Sequence, residues 1–165
     1  MGLRLLAVIA GVTLSTFASA GWLATTQDDI FSGGKKAMLA GEVDNFHALI
    51  FDCTADSLAL SIIEKSKWQD GMERITYRLL VKVDQGEVHD FAGVSSQRND
   101  EYIQIATQDR DGILKLLGQV RDAQSQIQIG LKANEIDSKW SGIASVVGST
   151  LQAERFMQAC NLNQG

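Results

Sequence analysis

Two cysteines, Cys53 and Cys160, and two histidines, His47 and His89, are the residues of this chain best suited by type to nucleophilic or acid–base chemistry. Their settings argue against such a role. A serine hydrolase needs a histidine base beside its nucleophile, but His47 opens the segment HALIFDC, whose alternate residues read as core, and His89 lies in a polar arm with Glu87 and Asp90. Each reads as a structural or surface histidine. No HExxH, GxSxG, Walker or GxGxxG pattern occurs. The 20 acids offer many carboxylate pairs of the kind a glycosidase uses, and nothing in their spacing selects one. Asp28 and Asp29 read as solvated surface rather than half a cation site. Asp109-Arg110-Asp111-Gly112 opens like a calcium loop but lacks the later oxygen ligands and the closing Glu, so a helix cap is expected there. The chain is expected to be non-catalytic and to take no metal or cofactor, with a carboxylate-dependent hydrolase as the least favoured alternative.

The N-terminus gives the cysteines their context. Met1 to Arg4 is a short cationic start, Leu5 to Leu14 an apolar run, and Ala18-Ser19-Ala20 a small-residue site, which are the three parts of a secretory signal peptide. The apolar run is well short of the roughly twenty residues that span a bilayer. Cleavage is therefore expected after Ala20, giving a periplasmic or secreted protein with no membrane span and a single domain over residues 21–165. Residues 1–20 carry one cation, Arg4, and no acid, so the net charge of −5 becomes −6 on cleavage. An acidic chain of this kind has no electrostatic reason to bind nucleic acid. Two cysteines delivered to an oxidising compartment are too few for a closed zinc shell and point to one disulfide. In HALIFDC, Cys53 shares a strand face with Leu49 and Phe51. Near the C-terminus, Ala153, Phe156, Met157 and Cys160 recur at the spacing of one helix face. Both sulfurs thus face a core, and a Cys53–Cys160 bridge closing a loop of about a hundred residues is expected to stabilise the fold by about 4 to 5 kcal/mol in the chain-entropy model.

The elements that must hold those residues are mostly strands. Short ones are expected at 21–26, 35–41, 47–53 and 57–63, the last two joined by Thr54-Ala55-Asp56 as a hairpin. Ile75 to Asp84 alternates most clearly, with Tyr77, Leu79, Val81 and Val83 on one face and Arg78 and Lys82 on the other. Residues 87–92 follow as its hairpin partner, 93–100 (GVSSQRND) as a loop, and 101–107 as a strand. Ile113, Leu116, Leu117 and Val120 then mark an amphipathic helix capped by Asp109 or Asp111. Strands at 125–132 and 138–147 and a final helix at 150–160, opened by a Ser149/Gln152 capping box, complete the chain. The fold class is α+β, mostly β: an antiparallel β-sandwich or rolled sheet of about eight strands with two helices packed on an edge or end. With no proline in the chain, strand edges must be protected by charge, bulges or helices.

A strand ending in Cys53, a hairpin partner, a long strand around Tyr77-Arg78, then strand, helix, two strands and a terminal helix closing in F-x-x-A-C (Phe156 to Cys160) resembles the small exported proteins associated with type VI secretion, the VasI/TagO group. The resemblance spans residues 47–160 and implies an envelope accessory protein, with an envelope protein or cell-wall component as partner. The residues themselves offer two surfaces for such a role. Arg78 and Lys82 on the long strand, near the loop Arg98-Asn99-Asp100, would bring cations together on an acidic protein, although a solvated sheet face is the plainer reading. Alternatively Trp68, in the loop 67–71, would anchor a plug for an enzyme's active site, making the protein a periplasmic enzyme inhibitor.

Overall fold

Strict alternation of apolar and polar residues builds the larger part of this molecule, because side chains on a strand point to opposite faces in turn. The computed structural model describes residues 21–162; the leader expected at residues 1–20 lies outside them. The strands are β1 (Trp22–Asp28), β2 (Lys35–Glu42), β3 (His47–Cys53), β4 (Leu58–Lys65), β5 (Thr76–Val83), β6 (Val88–Gln97), β7 (Tyr102–Thr107), β8 (Ile127–Ala133) and β9 (Lys139–Ala144), with helices α1 (Arg110–Asp122) and α2 (Ser149–Ala159). They form one nine-stranded sheet in the order β1-β2-β3-β4-β7-β6-β5-β8-β9, antiparallel throughout. The order has a simple origin. The chain leaves β4 and lays down the meander β5-β6-β7, whose last strand returns to pair with β4. That leaves β5 as a free edge, and β8 and β9 extend it after α1.

The sheet curls into a half-barrel, so of the two architectures expected it is the rolled sheet and not the sandwich, with nine strands rather than eight. Leu39, Leu49, Phe51, Leu60, Ile62, Leu79, Val81, Ile105 and Ile129 line the concave face. Ile113, Leu116, Leu117 and Val120 of α1 and Ala153, Phe156 and Met157 of α2 fill it. The helices therefore occupy the concave face rather than an edge or end. The closing contacts come from β9 and its continuation: Trp140 stacks on His47 at 4.1 Å, and Trp22 Nε1 donates to the Ser145 carbonyl at 2.6 Å. The Cys53–Cys160 disulfide is present, with Cα atoms 6.2 Å apart and 107 residues between them in sequence, and it ties the end of β3 to the end of α2.

Three local expectations are corrected. Gly93–Gln97 belongs to β6 and is not loop: its Ser-rich sequence lacks a strand's composition, but it pairs with β7, and a Cβ on Gly93 would stand 2.5 Å from the Ile105 side chain. The capping box of α2 does not form. Gly148, in the left-handed region at φ 81°, is the cap, Ser149 is the buried first residue of the helix, and Gln152 instead accepts a hydrogen bond from the backbone of Ala24 on β1. The last strand ends at Ala144, short of Val147. By contrast, Asp109 caps α1 as expected, its carboxylate accepting from the Gly112 amide. Asp84, at φ 49°, ends β5 and accepts four hydrogen bonds from Gln124, Ser125 and Gln126, which fixes the connection from α1 to β8.

Candidate binding surface

The convex face carries the side chains that alternate with the core. Near its middle these are small: Ala59 and Ser61 on β4, Ala106 on β7 and Ala92 on β6. Small side chains on four neighbouring positions leave a shallow depression of about 480 Å³, rimmed by Asp52, Ser96, Gln104 and Gln108. Two of the cations singled out in the sequence stand beside it. Arg98 reaches back from the end of β6 and donates to both oxygens of Asp52, at 2.9 and 3.0 Å, and to Gln104 at 2.9 Å. Because Asp52 lies on β3 and Gln104 on β7, its guanidinium bridges across β4. Arg78, in register with Ala92, makes a paired contact with Asp90 through Nε and Nη2, and that partner holds its guanidinium pKa above the ordinary arginine value.

The expected cation cluster is thus two neutralised ion pairs flanking an alanine floor. Lys82 is half-buried on the same face further along β5 and makes no ion pair among the described residues. Asp100 is exposed in the β6–β7 turn, and Trp68 is half-buried in the stretch after β4 rather than protruding; neither lines the depression. The carboxylates nearest the depression, Asp52 and Asp90, are each occupied by an arginine, so they do not face one another as a glycosidase pair would. His47 is oriented by Asp44, with Nδ1 at 2.9 and 3.0 Å from its carboxylate, which is the base-and-orienter half of a triad. Among the described residues no hydroxyl or thiol hydrogen-bonds its ring. His89 bonds Gln119 of α1 at 2.8 Å.

Sequence reasoning missed the tip of the β1–β2 hairpin. Ile30 is 85% exposed and Phe31 90%. The turn that presents them is fixed: Asp29, expected to be solvated, is buried and accepts from the Ser32 hydroxyl at 2.8 Å and the Phe31 amide at 3.2 Å, with the Lys36 ammonium at 3.5 Å. Those contacts, Ser32 first, hold its carboxyl below the usual aspartate range. Backbone hydrogen bonds from Asp29 to Gly34 and from Gly33 to Asp29, both 2.9 Å, close the turn, and Gly33 takes the left-handed φ of 67° it requires. The available signal was an apolar pair between Asp-Asp and Ser-Gly-Gly that belongs to no alternating run.

No protein-family model and no curated protein matches the chain. Among solved structures it is similar to invasion associated protein B from Bartonella henselae, with a TM-score of 0.52 over 84% of this chain and 92% of that one, at 11% sequence identity. At that identity the likeness is one of fold.

Proposed function

We propose that the protein is exported, with residues 1–20 as its signal peptide, and acts as a non-catalytic envelope accessory protein that binds a partner protein through the β1–β2 hairpin tip. The observation that supports this reading is the adjacent pair Ile30 and Phe31, almost fully exposed on a turn whose backbone is already fixed. A preorganised aromatic anchor loses little conformational freedom on docking, which is the character of an interface hot spot. The flanking charges of Asp28, Asp29, Lys35 and Lys36 cancel, on a chain of net charge −5, so nothing at the tip draws it to an anionic bilayer. An apolar pocket on another protein is the occupant that fits. The disulfide agrees with an oxidising compartment.

The test is a photo-crosslinking residue placed at position 31, and in parallel at Val94 on the convex face, with irradiation of intact cells and identification of adducts by mass spectrometry. A defined protein adduct from position 31 and none from position 94 is expected. The reverse pattern would transfer the interface to the alanine-floored depression and overturn the reading. The same observation favours the inhibitor reading with Phe31, not Trp68, as the plug. If the adduct is an enzyme, the purified protein should lower its activity and Phe31→Ala should not.

A further inference from the structure

The half-barrel is stapled at one end and open at the other, and the open end is lined differently. At the His47 end of β3, aromatic and acidic side chains join the aliphatic ones at the inward positions. Glu64 on β4 is the register partner of both His47 and Ile103, Tyr77 on β5 faces Ala133, and Trp140 on β9 pairs with Leu131. Glu64, Tyr77, Trp140, Ile103, Leu131 and Met72 line a cavity of about 130 Å³, room for several water-sized molecules. Met72 comes from the 3-10 turn Met72–Arg74, which is pinned over the cavity by a 2.7 Å hydrogen bond from the Ser95 hydroxyl to the Met72 carbonyl.

We infer that this mouth is a binding site for a small organic ammonium group, held against Trp140 and Tyr77 by the Glu64 carboxylate. The π-faces of Trp and Tyr attract a cation, and the attraction grows as water is excluded. The surrounding charge has the matching sign. Glu64 lines the cavity, and Glu135 is fixed close by through hydrogen bonds from the Thr76 amide and hydroxyl at 2.8 and 2.7 Å. The Tyr77 phenol responds to this setting: its pKa is raised by burial first and then by the charges of Glu64 and Glu135. Three basic groups at this end have acidic partners of their own. Arg74 contacts Glu73, Lys139 contacts Asp137, and His47, stacked on Trp140, holds Asp44. A cavity with two aromatic walls and a carboxylate that has no partner among the described residues suits a cation better than an anion.

The hairpin reading plays no part in this inference, so each can fail alone. The test follows the Trp140 indole N–H resonance of isotope-labelled protein during titration with tetramethylammonium chloride, with tert-butanol as a neutral probe of similar shape and sodium chloride to match ionic strength. A saturable shift with Kd of about 0.1 to 10 mM is expected, with tert-butanol at least about tenfold weaker. Glu64→Gln should weaken tetramethylammonium about tenfold without weakening tert-butanol, and Trp140→Leu should abolish binding. N-acetyl-lysine amide distinguishes the source: tighter binding than tetramethylammonium marks a partner's lysine side chain, weaker binding a quaternary ammonium. Equal binding of both probes, an unchanged Glu64→Gln titration, or no saturable shift would overturn the site. Glu64→Gln keeps the inference testable should Trp140→Leu disturb the fold, because the amide has nearly the size and shape of the carboxylate it replaces.

Discussion

The two faces of the sheet are held in different ways. The concave face is held by burial: Leu39, Leu49, Phe51, Leu60 and Leu79 are fully enclosed against α1 and α2, and the Cys53–Cys160 bridge closes the stack covalently. The convex face is held by charge and hydrogen bonds over small side chains, with Arg98 spanning β3 to β7 and Arg78 bound to Asp90. Non-directional burial scales with area, whereas an exposed ion pair is screened by water and offset by the entropy of ordering two side chains. Energetic weight therefore belongs to the inside, and the outside is free to vary or to bind.

Breaking the inner face should have the largest effect. Replacing Cys53 and Cys160 by Ser removes a constraint across 107 residues, and the chain-entropy model puts the loss at about 4 to 5 kcal/mol. Phe51→Ala, at a side chain with no exposure, should cost about 3 to 5 kcal/mol through lost burial and the cavity left behind. Urea unfolding of the variants, and of the wild type with and without reductant, measures both. Equal stability of reduced and oxidised wild-type protein would show that burial alone holds the concave face.

Asp84 comes next and asks whether a polar fixing can rival burial. The Ser125 hydroxyl first, and then the amides of Gln124, Gln126 and Ser125, hold its carboxyl well below the ordinary value of 3.8. A carboxyl whose pKa is depressed on folding stabilises the fold above its unfolded pKa and loses that contribution as pH falls. Asp84→Asn keeps a residue tolerant of positive φ and removes the charge. The variant should be less stable than wild type at neutral pH, with the gap closing as pH drops below about 4. Urea midpoints across that range decide it; a gap independent of pH would assign the loss to shape rather than charge.

How much of this was legible in the sequence divides along the same line. Inward residues such as Val81, Ile105 and Leu117 announce themselves by period, and Cys53 and Cys160 could be paired because each rides on such a pattern. Gly93–Gln97 could not be read as strand, because what makes it one is the fit of Ile105 against a glycine on the neighbouring strand. The surface was less legible still. Arg98 looked like a free cation because its partner Asp52 is 46 residues away and meets it only through the strand order. The expected likeness to the type VI secretion group rests on the order of elements alone, and one order of elements can host many functions.

On the convex face the effects should shrink. Arg98 donates three hydrogen bonds to two partners, Asp52 and Gln104, and its guanidinium is mostly out of solvent, so Arg98→Ala should cost about 1 to 2 kcal/mol, discounted for the partial exposure of Asp52. Arg78 is half-exposed with one partner, and Arg78→Ala should cost less than Arg98→Ala. Urea midpoints at low and high salt separate the two, with the Arg78 pair the more salt-sensitive. If both losses match, bridging across β4 adds nothing beyond a single ion pair.

The smallest effect on stability is expected where the chain displays most apolar surface. Phe31 and Phe51 are the same residue at 90% and 0% exposure. Truncating Phe31 to Ala removes no buried contact, because Asp29 holds the turn through the Phe31 backbone amide, Ser32 and Lys36 rather than through the ring. Its urea midpoint should stay within about 0.5 kcal/mol of wild type. The loss should appear in binding instead: pull-down of the partner identified by crosslinking should fail for Phe31→Ala while the fold is intact. A side chain that contributes to binding and not to folding is what a docking anchor must be. Should Phe31→Ala unfold the protein as Phe51→Ala does, the tip belongs to the core and the proposed interface fails with it.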